Sequence, residues 1–530
     1  MKKITAIAII TAMLTSLMLV FAPSASAAWD GTSVSAALVG AGTEFDPYLI
    51  SNENDLAYLA KQVNDGVTHY DGEFFKLMVD LDLGQKDWTP IGALSANYFG
   101  GNFDGDGHTI RGLKVKTDAN DKKALYGGVF GRSTDATFKN LTVEGGFVNS
   151  AKYAGAIVGS AYVTPDTGKS AIINCHVIDT EVRGLHVGGI VGRTSTENAT
   201  KGQIEIIGCS ATNVTVNHCT TEDFPSASNS NHYAGGIVGA TGVAIISGCY
   251  VENVTINAYG TKNSRTGGII GTQGADGVVS DVYNCYVNGL TLNVDPVCSP
   301  TNGRYGGLIG SAACITVSYG DLNTEASMFN CFVTGIVIND PTECPNVGVL
   351  MGYVNDTFHF NDLYYTPTEG LKSFGADKYL NEWPFVEVAS LSDIKVENLN
   401  KGNSTAVWKS DVVKGHPIID IEAVIANEPA FVDYYTENAD KTEEVTTEAP
   451  VITDEATTAG AVVTDAPTDA PEQTDAPTEA IDSTDAPEQT PAPGTEAPAK
   501  KEEKGCGGMI AGAVTVIALL GTAVVFKKKN

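Results

Sequence analysis

A chain of 530 residues with 43% hydrophobic content carries enough apolar side chain for a large core, and its formal net charge of −30 excludes nucleic acid as a natural partner and suits a solvated, extracellular life. Its 10 cysteines and 8 histidines show no converging ligand spacing, so neither a metal nor a cofactor is expected.

Residues 1–27 read as a secretory signal peptide: Lys2 and Lys3 open it, an apolar run follows from 4 to 21, and Ala25, Ser26 and Ala27 stand at the exit. No cysteine follows at once, which argues against a lipoprotein anchor there. From residue 42 the chain reads GTEFDPYLISNENDLAYLAKQVNDG. Ser51 or Asn52 caps a helix over about 52–65 whose Leu56, Leu59, Ala60 and Val63 share a face, and Gly66 ends it. Such a helix would cover the exposed strand edges of a first rung. FFKLMVDLDL, WTPIG and FGGNFDGDGHTIRGLKV then read as irregular first rungs.

Two anchors recur after that. One is a five-residue unit, glycine at each end and apolar residues between, at 127–131, 155–159, 188–192, 235–239, 267–271 and 306–310, and more loosely at 348–352. The other is a cysteine, at Cys175, Cys209, Cys249, Cys285 and Cys331, with Leu141 in its place in the earliest copy. The residue before each is Asn140, Asn174, Gly208, Gly248, Asn284 or Asn330, and the residue four after is Gly145, Asp179, Asn213, Asn253, Gly289 or Gly335. Gly, Asn and Asp are the residues that enter the left-handed region cheaply, so a sharp bend is expected at both points of every copy. Apolar residues three before the cysteine and five and seven after it give strands of period two. Three short strands per copy make one coil of an all-β, right-handed parallel β-helix, expected over residues 40–365. The cysteines then stack at roughly 4.8 Å as a buried, reduced core ladder, wider than a disulfide prefers. Cys298 and Cys344 each follow the third strand of successive rungs, so a loop disulfide between them is feasible.

The run GTEFDPYLIS, the WTPIG, the FDGDGHTIRGL and the repeated GGIVG resemble the GLUG-motif proteins over roughly residues 40–420. That resemblance implies a secreted, β-helical surface protein of the kind common in Gram-positive gut bacteria. The family's repeats accompany varied partners, among them a zinc peptidase, whose His-Glu-x-x-His helix is absent here. Trp408 and Pro417 resemble the family's terminal segment, so residues 366–430 are expected to close the far end of the solenoid.

Residues 437–504, rich in Thr, Ala, Pro and acids with repeated TDAP, read as a disordered stalk. Residues 507–526 are an apolar run of bilayer-spanning length, and Lys527, Lys528 and Lys529 in the tail 527–530 belong in the cytoplasm. No Leu-Pro-x-Thr-Gly precedes the run, and Cys506 at its boundary is read as unmodified, with acylation or processing there as the alternatives.

Catalysis is weighed and set second. The Asn-Thr-Asp, Asp-Asp, Gly-His-Gly and Arg-Ile-Lys strings of β-helical galacturonan hydrolases do not occur. Asp80 with Asp82 and Asp104 with Asp106 are carboxylate pairs able in principle to do acid–base work, though such acids more often cap turns, as His108 more often packs. Asn140, Asn213 and Asn253 form Asn-x-Thr triplets that their bend positions already explain, and no complete calcium loop occurs. The expected protein is a non-catalytic, surface-anchored adhesin or binding module for an extracellular glycan or protein; the alternative is a tethered polysaccharide-degrading enzyme. Its expected binding face is the outward residue after each cysteine, which in the last three copies is Tyr250, Tyr286 and Phe332, a row of rings suited to the flat faces of sugars.

Overall fold

A computed structural model describes residues 28–426, apart from the segments 117–124, 166, 197–203, 220–230, 243, 259–263, 274–279, 295–302, 314–325, 340–343, 345, 356–357 and 378–384. These residues belong to one compact unit; the signal peptide, stalk and membrane-run expectations, with Cys298 and Cys506, lie outside the described residues. Among the described residues no helix is long and apolar enough to cross a membrane.

The chain winds into stacked coils of parallel strands, a β-helix-like fold with one sheet of 22 strands and one of 14 among the described residues. In one full coil the strands Ser170–Ile173, His176–Ile178 and Glu181–Gly184 lie in the larger sheet and His186–Gly188 and Val191–Thr196 in the smaller. Each strand pairs in register with its counterpart one coil away: Val143, Val177, Ala211, Val251, Val287 and Val333 form one continuous inward column, all fully buried. Alternate residues point out, so period two in the sequence becomes a filled interior and a solvent face.

Every expected bend is left-handed. Asn140, Asn174, Asn284 and Asn330 have φ of 54°, 52°, 52° and 57°, and Gly208 and Gly248 both 65°. Asp179, Asn213 and Asn253 at the second bend have φ of 50°, 54° and 54°, and Gly145, Gly289 and Gly335 lie at 64°, 77° and 62°. The glycine anchors have another cause. A Cβ on Gly235 would strike the Val238 carbonyl oxygen and come within 2.8 Å of Ile269 O in the next coil, so the repeat is glycine because two backbones meet there. The anchors thus build the smaller sheet, which the three-strand expectation did not contain.

Between Asp55 and Val63 the helix Glu53–Asn64 buries Leu56, Leu59 and Val63. Asn52 caps it, its Oδ1 accepting from the Asn54 and Asp55 amides at 3.0 and 3.2 Å. Glu53 Oε1 accepts from Asp82 N at 3.0 Å and Asn64 Oδ1 from Gly92 N at 3.0 Å, fastening both helix ends to the first coils.

An asparagine ladder runs along the outer face of the third strand. Asn217 Nδ2 donates to Glu181 Oε1 at 2.8 Å, Asn257 to Asn217 and Asn293 to Asn257 at 2.7 Å each, and Asn339 to Asn293 at 2.6 Å, always in the same direction.

The closing segment departs from its expectation. Lys372–Asp377 and Phe385–Glu387 do extend the two sheets. Residues 388–426 then turn back along the flank instead of covering the end. Trp408 Nε1 donates to Asn284 Oδ1 at 2.9 Å, Asn330 Nδ2 to Lys401 O at 2.9 Å, and Lys414 Nζ to Glu252 Oε1 at 2.7 Å. Beyond the hairpin Trp408–Asp411/His416–Ile419, the helix Ile421–Ala426 sits over the bends: a Cβ on Gly248 would lie 2.5 Å from Val424, and one on Gly208 3.0 Å from Ile421. The cause is the outward apolar row, which buries itself against Val388, Leu399, Val407, Trp408 and Val424.

Candidate functional site

The carboxylates singled out in the sequence gather over the first coils, each held by a cation or a turn. Arg111 Nη1 donates to Asp80 Oδ2 at 2.9 Å and Arg111 Nε to Glu144 Oε2 at 2.8 Å, while His108 Nδ1 lies 3.1 Å from Asp80 Oδ1. Asp82 Oδ1 accepts from Gly84 N at 2.8 Å, and Lys76 pairs with Asp106 at 3.0 Å. Asp104 Oδ1 accepts from Asp106 N at 2.9 Å and Asn140 Nδ2 at 3.0 Å, and Lys139 reaches its Oδ2 at 3.2 Å. Burial pushes the Asp80 and Asp104 carboxyls up, but these hydrogen bonds together outweigh it and hold both below the usual carboxylate range. A general acid needs the opposite displacement.

Beside this network is a surface pocket of about 290 Å³. Strand register builds it: Phe74, Asn102 and Thr137 stand in one outward row over three successive coils, and Lys76, Asp104 and Lys139 in the next. Phe75 and Phe103, fully buried or nearly so, form its floor, and Glu44 and Pro47 its wall. That wall is a turn closed by Thr43 N to Asp46 O and Asp46 N to Thr43 O, both 3.2 Å, and joined to the strand by Phe74 N to Gly42 O at 2.9 Å. Phe45 at its tip is 97% exposed.

The aromatic row exists as a stack but not as an open face. Tyr250 and Tyr286 are parallel within 7° at 5.0 Å, and Tyr286 and Phe332 within 8° at 4.9 Å. Tyr286 is 1% exposed and Phe332 0%, beneath Trp408 and His416, so parity placed these rings outward and the returning segment covered them. Only Tyr250 keeps part of its ring at the surface. Tyr286 Oη donates to Glu252 Oε1 at 2.8 Å; burial, with that carboxylate, raises the Tyr286 hydroxyl well above its ordinary value.

Cys175, Cys209, Cys249, Cys285 and Cys331 are buried and in no disulfide, and Cys219 and Cys344 are buried as well. Cys209 Sγ donates to Ile172 O at 3.3 Å and Cys249 Sγ to Ile206 O at 3.4 Å, one coil back in each case. Burial pushes the thiols of Cys175, Cys209, Cys249 and Cys285 well up, so thiolate chemistry is suppressed. The Cys298–Cys344 bridge cannot be placed, because Cys298 lies outside the described residues. Among the described residues no group of three or more His, Cys, Asp or Glu is arranged to hold a metal ion.

One row went unread in the sequence. Two residues before the first glycine of the anchor stand Tyr153, His186, Tyr233, Arg265 and Arg304, with Tyr126, directly before Gly127, in register with Tyr153 on the outer side of the smaller sheet. Arg193 Nη1 donates to Tyr153 Oη at 2.9 Å, and the Arg265 guanidinium lies 5.3 Å from the Tyr233 ring centre. Burial, then the charges of Arg193 and Lys152, hold His186 well below the usual imidazole range. The signal was the fixed offset from the glycine anchor.

No family model matches the chain. Two curated proteins are similar in sequence: halomucin of Haloquadratum walsbyi, 26% identical over 170 residues, and a candidate Gly-rich membrane protein of Evansella cellulosilytica, 29% identical over 238 residues. The matches cover 32% and 38% of this chain but span only 2% and 26% of those proteins. A solved structure of a candidate immunoglobulin A1 protease from Bacteroides ovatus aligns at TM-score 0.42 and 21% identity over 72% of this chain and 94% of that one, too slight a likeness to support a shared activity.

Proposed function

We propose that the protein is a non-catalytic cell-surface module of the GLUG-motif kind, a right-handed β-helix that binds an extracellular glycan or protein. Right-handedness follows the nearly invariant sense of parallel crossovers. Export by residues 1–27, a stalk over 437–504 and anchoring by 507–526 complete the reading. The names of the two sequence relatives, a halomucin and a membrane protein, agree with a surface location. The observation that carries the non-catalytic half is the state of the acids singled out in the sequence: Asp80 and Asp104 are held as carboxylates by Arg111 and Lys139 and by turn amides, so neither stands protonated to donate to a leaving group. The contact of His108 with Asp80 favours the competing hydrolase or lyase reading, since an imidazole held by a carboxylate can move a proton.

Incubating the full chain with neutral and acidic polysaccharides decides between them. Retention of a polysaccharide or a cell-surface protein without new reducing ends is expected; release of reducing ends that His108→Ala abolishes would overturn the proposal.

A further inference from the structure

The pocket over the first coils has the chemistry of a sugar site, and we propose that it takes one neutral hexopyranose unit of an extracellular polysaccharide. This inference rests on the glycan-binding reading above and assigns it a place and a ligand class.

A pyranose is amphipathic: its C–H face packs on apolar surface, while its ring of hydroxyls needs both donors and acceptors. The pocket divides the same way. Phe74 and Pro47 give it an apolar side, and Asn102, Thr137, Asp104 and Lys139 a polar one. Those polar groups are only partly spent. Asn102 Nδ2 reaches Gly72 O at 3.3 Å, which leaves its second N–H and its carbonyl oxygen for hydroxyls. Asp104 Oδ2 receives Lys139 and keeps further lone-pair capacity.

Charge selects among sugars. The ammonium groups of Lys76 and Lys139 are set against the carboxylates of Asp104 and Glu44 within the lining, and Lys76 is further paired with Asp106 at 3.0 Å. A site for a uronate or sulfated sugar would carry uncompensated cations. This one is balanced, so a neutral sugar fits it. Size limits the ligand as well: 290 Å³ lies at the small end of ligand pockets, which begin at roughly 300 Å³. It suits one ring, with the rest of the polymer outside.

The site is also preorganised. Its floor is the packed interior, and its wall is a turn held by reciprocal backbone hydrogen bonds between Thr43 and Asp46. That turn holds the backbone of Phe45, whose ring is exposed, next in the chain to the lining residue Glu44. A lone exposed apolar side chain is ordinary; one held on a closed turn beside a polar–apolar pocket offers the neighbouring sugar a surface to stack on.

The test is binding of the full chain to an array of neutral hexose oligosaccharides of the common α and β linkages beside uronate oligosaccharides, followed by calorimetry with the best trimer. A neutral trimer is expected to bind best, with Asn102→Ala and Phe45→Ser each weakening it at least tenfold. Phe45 sits at a solvent-exposed tip, so its variant tests the site with thermal unfolding unchanged. Preference for uronates by tenfold or more, or absence of binding to every neutral hexose oligosaccharide, would overturn the proposal. Neutral-glycan binding indifferent to both substitutions would also overturn it while leaving the broader glycan-binding reading intact, and release of reducing ends would instead sink that broader reading.

Discussion

The indole of Trp408 donates to the side-chain oxygen of Asn284 at 2.9 Å, across 124 positions of sequence, and this bond seats the returning segment on the flank of the coils. Asn284 is itself a bend residue at φ 52°, so the same side chain that permits the turn receives the strap. Trp408→Ala should therefore destabilise the fold by about 3–5 kcal/mol, the range for truncating a large buried aromatic. Urea unfolding gives the magnitude, and limited proteolysis should show cleavage within 388–426 before the coils are cut. An unchanged midpoint would mean that the strap contributes little.

Gly248 and Gly107 both lie in the left-handed region, at φ 65° and 82°, but a Cβ on Gly107 meets nothing within 4 Å while one on Gly248 meets Val424. Gly107→Ala should cost about 1–2 kcal/mol from backbone alone. Gly248→Ala should add about 1–3 kcal/mol for overpacking. Paired denaturation curves compare them; equal losses would mean that the helix Ile421–Ala426 yields freely.

Acid should weaken the smaller sheet before it weakens the carboxylate network. His186 is held well below the ordinary imidazole range by burial and by Arg193 and Lys152. Its neutral form is favoured by folding, so the contribution is whole above an unfolded-state pKa of about 6.5 and is lost as pH falls below it. Asp80, Asp104 and Glu252 are depressed as carboxylates, so their contributions fade only as pH falls below about 4. Melting temperature should drop between pH 7 and 5, and His186→Phe should flatten that slope; an identical slope in the variant would refute the assignment.

Alkali acts through the thiol ladder. The buried thiols of Cys175, Cys209, Cys249 and Cys285 titrate far above their unfolded counterparts. Stability should be constant below an unfolded-state pKa of about 8.5 and decline as pH rises through it. In native protein at neutral pH these thiols should resist a disulfide reagent and react together on unfolding. Prompt reaction of the ladder in folded protein would contradict the packing.

What could be read from the sequence was whatever a single residue's backbone decides. Gly, Asn and Asp enter the left-handed bend most cheaply, so Asn174, Gly208 and Asn284 announced it. Gly235 announced only that something recurred, because its cause is the carbonyl of a neighbouring coil. Parity correctly turned Tyr286 and Phe332 outward, yet nothing local in 388–426 says which face it will cover. The pocket was hidden for the same reason: Phe74, Asn102 and Thr137 meet only through register between coils.

The asparagine ladder from Glu181 to Asn339 is a chain of identical handshakes, each amide giving a hydrogen to the coil before it and offering an oxygen to the coil after. Because one residue type plays both parts, a duplicated coil could enter the series anywhere with its partners already in place. Lineages carrying this architecture can therefore lengthen or shorten the solenoid one coil at a time, setting how far its first coils stand from its base without redesigning either end.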